Sequence, residues 1–467
     1  MAGSGATNGM IRFRDHLIYA RGSGLYATRD GVSHLSLGTV TDGKKLFLPM
    51  GDKLFIYPDK LYLVYDEGFL LRSLEIKTAV MKNCVFTGNK VTLPDGQTWT
   101  SLGFEVGDCV RVINADDVNP TPEGNHRIAS LVGRTATVVQ SFPGSYESHA
   151  RFARSVPSLE HGCVTGGRIF GTVGSTIYVS ARGSGTDFYS PDTGSGVDPA
   201  ILATGDDNPL TACAPWQGYV IFFTADRILR LLGSRPDSFA LSDGGGVGLP
   251  ADMADTLCEV DGGLYFLNGG GVYRYRGQEA TRISSVGESS CTDGVGGTDG
   301  VCYYLGVTRQ GTRELWVYSP ERDSWYAEDD VAVTCMFRYE GMVWMQSGDG
   351  YVWIASSEGR SASTAMREEL IYGMLTGELI TQTFAAPFPR QCRPMEAVVR
   401  ASRSMGGTLE VYASYDGGEE VLVGRYDGRG EQTFRMPLPI GTVYGVTLRL
   451  VMQGEWVVRA VACGFAP

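Results

Sequence analysis

Apolar and polar positions alternate along most of this chain in runs too short for helices, and one unit keeps returning. It consists of an apolar run, a tight turn with Gly or Asp, a second apolar run ending in Tyr or Trp, and a polar turn. It reads HLIYARGSGLYATRDG from His16 and KLFLPMGDKLFIYPDKLYLVYDEG from Lys45. It returns as GRIFGTVGSTIYVSARG from Gly167, GYVIFFTADRILRLLGSRPD from Gly218 and GGLYFLNGGGVYRYRG from Gly262. The last copies begin at Val301 (VCYYLGVTRQGTRELWVYSPERDSWYAED) and Gly341 (GMVWMQSGDGYVWIASSEG).

Each copy predicts an antiparallel hairpin, because a period of two puts one face inward and the turn residues suit a short loop. A lone hairpin cannot bury its apolar face, so neighbours must stack. From Gly167 onward the copies are spaced roughly 35 to 50 residues apart, the length of one four-stranded propeller blade. The pattern predicts an all-β protein with a β-propeller of about seven blades.

Two stretches break the rhythm. Between 71 and 155, VFTGNKVTLP, FEVGDCVRVI, NHRIASLVG and TATVVQSF predict four short strands of a small, half-open barrel of SH3 or OB type, inserted in a propeller loop. From 366 to 467, a helical signal in STAMREELIYGML, with Ser363 or Thr364 as N-cap, leads into short alternating strands with turns every eight to twelve residues or so. Those strands predict a separate C-terminal β-sandwich. The propeller is then formed by 1–70 and 156–365, and excision of 76–150 is expected to leave it folded.

Composition sharpens this picture. The 63 glycines show no collagen period and sit between β-branched and aromatic runs, as tight turns require. The net charge of −12 argues against a tight nucleic-acid binder, whose affinity comes from cations displacing counterions. The ten cysteines form no CxxC pair, and Cys302 and Cys335 lie in apolar runs, so free, reduced thiols are expected. No window reaches eighteen consecutive apolar residues, and MAGSGATNG reads as a flexible lead-in with neither a basic nor an apolar region.

Candidate chemistry is sparse. None of His16, His34, His126, His149 and His161 falls in a metal-binding or HExxH spacing. His126 reads as a barrel turn residue. GSGLYA at Gly22 lies between strands, not ahead of a helix, so it is no dinucleotide turn, and GGGVG at Gly244 reads as a mobile loop. Asp206 and Asp207 read as solvated turn acids. SYDGGEEV at Ser414 approaches the Asp-rich turn of sialidase-type propellers, but it occurs once, lacks the aromatic ending and falls in the sandwich. Trp216, Trp316, Trp325, Trp344 and Trp353 read as blade-packing residues. No catalytic, cofactor-binding or metal-binding residue is assigned, and no enzymatic activity is expected.

Taken in order, several strings resemble a known family. They are FEVGDCVRVI … NHRI, SVPSLEHGC, GGRIFGTVGSTIYVSARGSGTDFY, TGDDNPLTAC, WQGYVIFFTADRILRLLGSRPDSF, VDGGLYFLNGGGVYRYRG, VYASYDGGEEVLVG, MPLPI and LRLVMQGEWVVRAVA. Together they are similar to the propeller proteins of tailed bacteriophages described as tail-hub or packaged-DNA stabilisation proteins, over nearly the whole length. The resemblance implies a virion protein of the tail, assembled in the bacterial host cytoplasm as a homo-oligomeric ring on portal and adaptor proteins. DNA would pass through that ring without specific binding, and no membrane is involved. Other readings stay open: a host-recognition propeller that binds carbohydrate, or a propeller glycoside hydrolase.

Overall fold

The computed structural model describes residues 2–66, 68–114, 122–284, 291–329, 331–355, 376–385, 390–403, 407–427, 430–439, 441–453 and 456–466. Among the described residues it is all-β apart from two short 3-10 turns, Pro236–Ser238 and Ala251–Thr256. The expected helix with Ser363 or Thr364 as its cap lies outside the described residues.

Seven sheets follow one another as antiparallel meanders. Blade 1 is Thr7–Phe13, His16–Arg21, Gly24–Thr28 and His34–Thr39. Blade 2 is Leu46–Met50, Lys53–Tyr57, Leu61–Tyr65 and Phe69–Ser73, so it runs three residues beyond the boundary expected at 70. Blade 3 is His161–Thr165, Arg168–Val173, Thr176–Val179 and Ala200–Ala203. Blade 4 is Leu210–Trp216, Tyr219–Thr224, Ile228–Leu232 and Ala240–Gly245. Blade 5 is Cys258–Val260, Gly263–Asn268, Gly271–Tyr275 and Thr281–Ser284. Blade 6 is Cys291–Thr298, Tyr303–Arg309, Thr312–Ser319 and Ser324–Asp329. Blade 7 has the described strands Val333–Tyr339, Met342–Ser347 and Val352–Ala355.

The seven hairpins of the sequence pattern fall one to a blade. Their regularity has a local cause. In blade 4 the inner strand turns into the second through Gln217-Gly218, both at positive φ (46° and 83°). A two-residue turn of this hand matches the twist of the strands it joins. Asp261-Gly262 and Glu340-Gly341 repeat it at the same place in blades 5 and 7.

Apolar side chains accumulate between blades, as sheet-on-sheet packing demands. Ile18, Ala20 and Leu25 of blade 1 meet Leu54, Ile56 and Leu63 of blade 2. Phe170, Ile177 and Val179 of blade 3 meet Val220, Phe222 and Leu231 of blade 4.

Two sequence expectations at the propeller are corrected. The start of the chain is no loose lead-in: Thr7 to Gly9 open the inner strand of blade 1, and the Ala2 backbone nitrogen donates to the Tyr19 hydroxyl at 2.8 Å. The glycines from Gly244 do not begin a mobile loop. Gly244 and Gly245 end the outer strand of blade 4, where Gly245 pairs with Ile228. A side chain there would be crowded, because a Cβ on Gly244 would meet Ile228 Cγ2 at 3.0 Å and the Tyr275 hydroxyl at 3.1 Å.

The insert is also more complete than the four strands expected. Met81–Thr87, Lys90–Thr92, Thr135–Val138, Gly124–Val132, Cys109–Asn114 and Ser145–Arg154 pair in that order, and the last pairs back with the first. This closes a six-stranded barrel, with Ile76–Lys77 added on Ser145–Arg154. The sequence GSYESHARFAR hid the closing strand, because two of its buried positions are the polar Ser148 and Arg154. Trp99, Phe86, Phe104 and Phe152 fill the interior.

The C-terminal residues form a sandwich. One sheet orders Thr376–Ile380, Gly445–Gln453, Thr408–Tyr415 and Glu420–Tyr426, with Phe384–Ala385 also on Gly445–Gln453. The other orders Gly430–Pro437, Arg393–Arg403 and Trp456–Ala466. Val411, Leu448 and Leu450 from the first face Val399, Phe434 and Met436 from the second.

Candidate functional site

Propeller strands converge on an axis, so the inner strands are where side chains from distant parts of the chain meet. Blade 1 consists wholly of N-terminal strands, and among the described residues blade 7 receives no strand from the other end of the chain. The described contacts that close the ring therefore run through side chains. The Gly9 backbone nitrogen donates to Gln346 Oε1 at 3.1 Å, and Gln346 is fully buried. The hydroxyls of Thr7 and Thr334 lie 2.9 Å apart. The Cys335 thiol reaches the Met10 carbonyl at 3.6 Å, and the Arg12 guanidinium covers the Tyr339 ring at 4.7 Å.

Next to this seam a small pocket of about 80 Å³ opens between inner strands. Asn8, Lys44, Lys45, Asp255, Gly296 and Cys335 are among its lining residues. Lys45 is buried and its ammonium lies 2.8 Å from Asp59, itself nearly buried, and donates to Thr41 Oγ1 at 3.0 Å. Burial pushes the Asp59 carboxyl up, but hydrogen bonds from Lys45 and Thr41 outweigh it and hold the group below its ordinary value. Lys44 pairs with Asp255 at the more open side. Asn8 Nδ2 donates to the Gly22 carbonyl and to Asp42 Oδ1, at 3.0 and 2.8 Å.

The inner strand of blade 6 reads GVGG from Gly294 because its neighbours leave no room. A Cβ on Gly296 would overlap the Thr256 carbonyl, and one on Gly297 would stand 2.6 Å from Met336 Cβ.

His161, at the start of blade 3, is brought within electrostatic reach of Lys44, Glu160 and Asp255. Burial lowers its pKa, Lys44 adds to the effect, and the two acids oppose it. The imidazole is therefore neutral near pH 7. This grouping of His161, Lys44 and Asp255 was not visible in the sequence, where the three lie far apart.

The other histidines are dispersed. His16 sits beside Asp15 and packs on Phe69, with ring centroids 5.0 Å apart. His34 hydrogen-bonds the Tyr19 hydroxyl at 2.9 Å. His126 is a barrel residue, with Nε2 3.2 Å from the Pro122 carbonyl and its ring 4.6 Å from that of Phe142. A carbonyl only accepts, so Nε2 carries the proton.

Asp206 is held in its turn by Arg227 and by the backbone nitrogen of Asn208, while Asp207 is exposed. Asp416, in SYDGGEEV, accepts from the backbone nitrogens of Tyr444 and Gly445 at 2.7 and 2.8 Å and so ties two sandwich loops together. Trp216 donates from Nε1 to the Gly262 carbonyl at 2.9 Å and Trp353 to Ser347 Oγ at 3.1 Å, in keeping with blade packing. Trp344 is buried in blade 7. Among the described residues no three His, Cys, Asp or Glu side chains are grouped to hold a metal ion.

A second polar node lies at the root of the barrel. Arg154 donates to Asp108 Oδ2 at 2.6 Å and to the carbonyls of Ser73 and Leu74, both at 2.8 Å. Asp108 Oδ1 in turn accepts from Thr186 Oγ1 of blade 3's long loop at 2.5 Å. Glu105 accepts from Tyr62 and pairs with Lys53 and Arg72 of blade 2. The barrel is thus bonded to blades 2 and 3.

No protein-family model matches the chain. No curated protein matches it either. Among solved structures, it is similar to apo AztD from Citrobacter koseri, at 12% identity over 69% of this chain and 84% of that one, with a TM-score of 0.34. BamB from Moraxella catarrhalis is 12% identical over 68% of this chain and 95% of that one, with a TM-score of 0.29. An exo-β-1,3-galactanase from Phanerochaete chrysosporium is 11% identical over 64% and 95%, with a TM-score of 0.22. Nothing that those proteins bind or do transfers to this chain at such values.

Proposed function

We propose that this chain is a non-enzymatic structural subunit of a tailed-phage virion, a ring-forming component of the tail hub that continues the DNA channel and retains packaged DNA. The observation that carries the reading is the state of the propeller axis. Two of the cations beside it are already paired, Lys45 with Asp59 within blade 2 and Lys44 with Asp255 across the ring. The pocket beside those pairs, about 80 Å³, is small beside the roughly 300–1,000 Å³ of ordinary ligand sites. A sugar-cleaving site needs two free carboxylates facing a sugar-sized space.

Two further features support the reading. Residues 155–375 carry about twice as many acidic as basic side chains, whereas the barrel and the sandwich are close to balanced. An acidic propeller repels phosphate, which suits a passage that DNA must slide through. The barrel and the sandwich also give each subunit faces distinct from the propeller, as a head-to-tail contact that closes a ring requires.

The test is assembly. Mixed with its portal–adaptor complex, the purified protein should appear as a cyclic ring by electron microscopy. Particles that carry it only at fibre tips would replace the hub with an adhesin. Hydrolysis of a polysaccharide panel, lost on Asp255→Asn, would replace it with an enzyme.

A further inference from the structure

Blades 3 and 4 each place a cysteine on the inner strand, Cys163 in His161–Thr165 and Cys213 in Leu210–Trp216. Cys163 belongs to the apolar cluster between the two blades, and Cys213 packs against that cluster. The Cys213 thiol lies 3.9 Å from the carbonyl of Phe170, the ladder partner of Cys163. The Cys163 thiol stands close enough to act on the Cys213 thiol. All ten cysteines are unpaired.

We propose that Cys163 and Cys213 are a redox modification site, closing to a disulfide that staples blade 3 to blade 4 when the protein meets a small-molecule disulfide oxidant. In the step, one thiol loses its proton and the thiolate attacks a sulfur of oxidised glutathione, expelling one glutathione thiolate. The second protein thiolate attacks the mixed disulfide and expels the other. Two protein thiols become one S–S bond, the two electrons reduce one oxidised glutathione to two thiols, and the two protons end on the departing glutathiones. The site is independent of what the assembled protein does.

The surroundings set the rate. The neighbouring Cys163 thiol, and then burial, hold the Cys213 thiol well above its ordinary pKa. Thiolate is scarce at neutral pH, so the bond forms slowly there and faster in alkaline solution. The pair therefore stays reduced in a reducing cytoplasm and closes on prolonged exposure to an oxidising medium. The closed loop would include the three outer strands of blade 3, and constraining it in the unfolded chain favours the folded one.

The experiment uses the full-length protein, incubated at about pH 8.5 with oxidised glutathione, then denatured, alkylated and digested without reduction. Mass spectrometry should find the peptide containing Cys163 joined to the one containing Cys213. The thermal midpoint should rise by about 5 °C and return on addition of dithiothreitol. Cys163→Ala and Cys213→Ala should each abolish the linked peptide and the shift. Should either variant misfold, the peptide map of the unmutated protein still decides. Both cysteines recovered fully alkylated, or either found joined to a different cysteine, would overturn the proposal.

Discussion

Arg154 and Asp108 meet at 2.6 Å at the root of the barrel, both side chains almost wholly withdrawn from water. Arg154 also reaches the backbone of Ser73 and Leu74, where blade 2 ends, and Asp108 reaches Thr186 beyond blade 3. The pair therefore links the barrel to the propeller on both sides. Desolvating two charges is costly, and removing one partner leaves the other unpaired. Asp108→Ala should cost about 3–5 kcal/mol in urea unfolding. Trp99, the one tryptophan of the barrel, reports the transition by fluorescence. A loss below about 1 kcal/mol would mean that water replaces the carboxylate.

The same node changes the outcome expected for excision. A protein lacking 76–150 keeps Arg154 but loses its carboxylate, and Lys53 and Arg72 lose Glu105. The excised propeller should fold less stably than a version that also carries Arg154→Leu. Circular dichroism melts of the two would show it, and equal midpoints would contradict it.

The seam between blades 1 and 7 is the second place to probe. Gln346→Ala leaves the Gly9 backbone nitrogen without its partner in a buried position, at a cost of about 1–3 kcal/mol. Because no strand is exchanged across the seam among the described residues, limited proteolysis should release the N-terminal strand faster from the variant. Unchanged cleavage would place the strength of the seam elsewhere.

Glycine at blade 6 offers a steric test. Gly296→Ala drives a methyl group into the Thr256 carbonyl, which cannot move without its 3-10 turn, and should cost about 3 kcal/mol or more. Gly246→Ala, with nothing within 4 Å of the added carbon, should be tolerated. Soluble yield and thermal midpoint separate the two.

Stability should fall on the acid side of neutrality. Burial lowers the pKa of His126 from 6.5, so the folded protein binds fewer protons there than the unfolded chain. The stabilisation from neutral His126 is complete above pH 6.5 and is lost as the pH falls from there towards the folded-state value. His161 adds to this in the same direction. His126→Phe, which keeps a ring against Phe142, should lessen the drop in thermal midpoint between about pH 7 and pH 5. An identical drop would assign the effect to other groups.

The sequence by itself determined the number of blades. A hairpin is a local object, and its period-two alternation and two-residue turns such as Asp261-Gly262 are written in consecutive residues. The sandwich was legible for the same reason. The closing strand Ser145–Arg154 was not, because its buried positions include Ser148 and Arg154 and its partners lie in Met81–Thr87 and Cys109–Asn114. Only the tertiary structure decided which charges meet. Gly9 and Gln346 are 337 residues apart, and Arg154 and Asp108 are 46 apart. Lys44 precedes blade 2, His161 opens blade 3 and Asp255 lies in the 3-10 turn between blades 4 and 5. Their meeting depends on the circular order of the blades around an axis, and nothing in the neighbouring residues of any one of them carries that order.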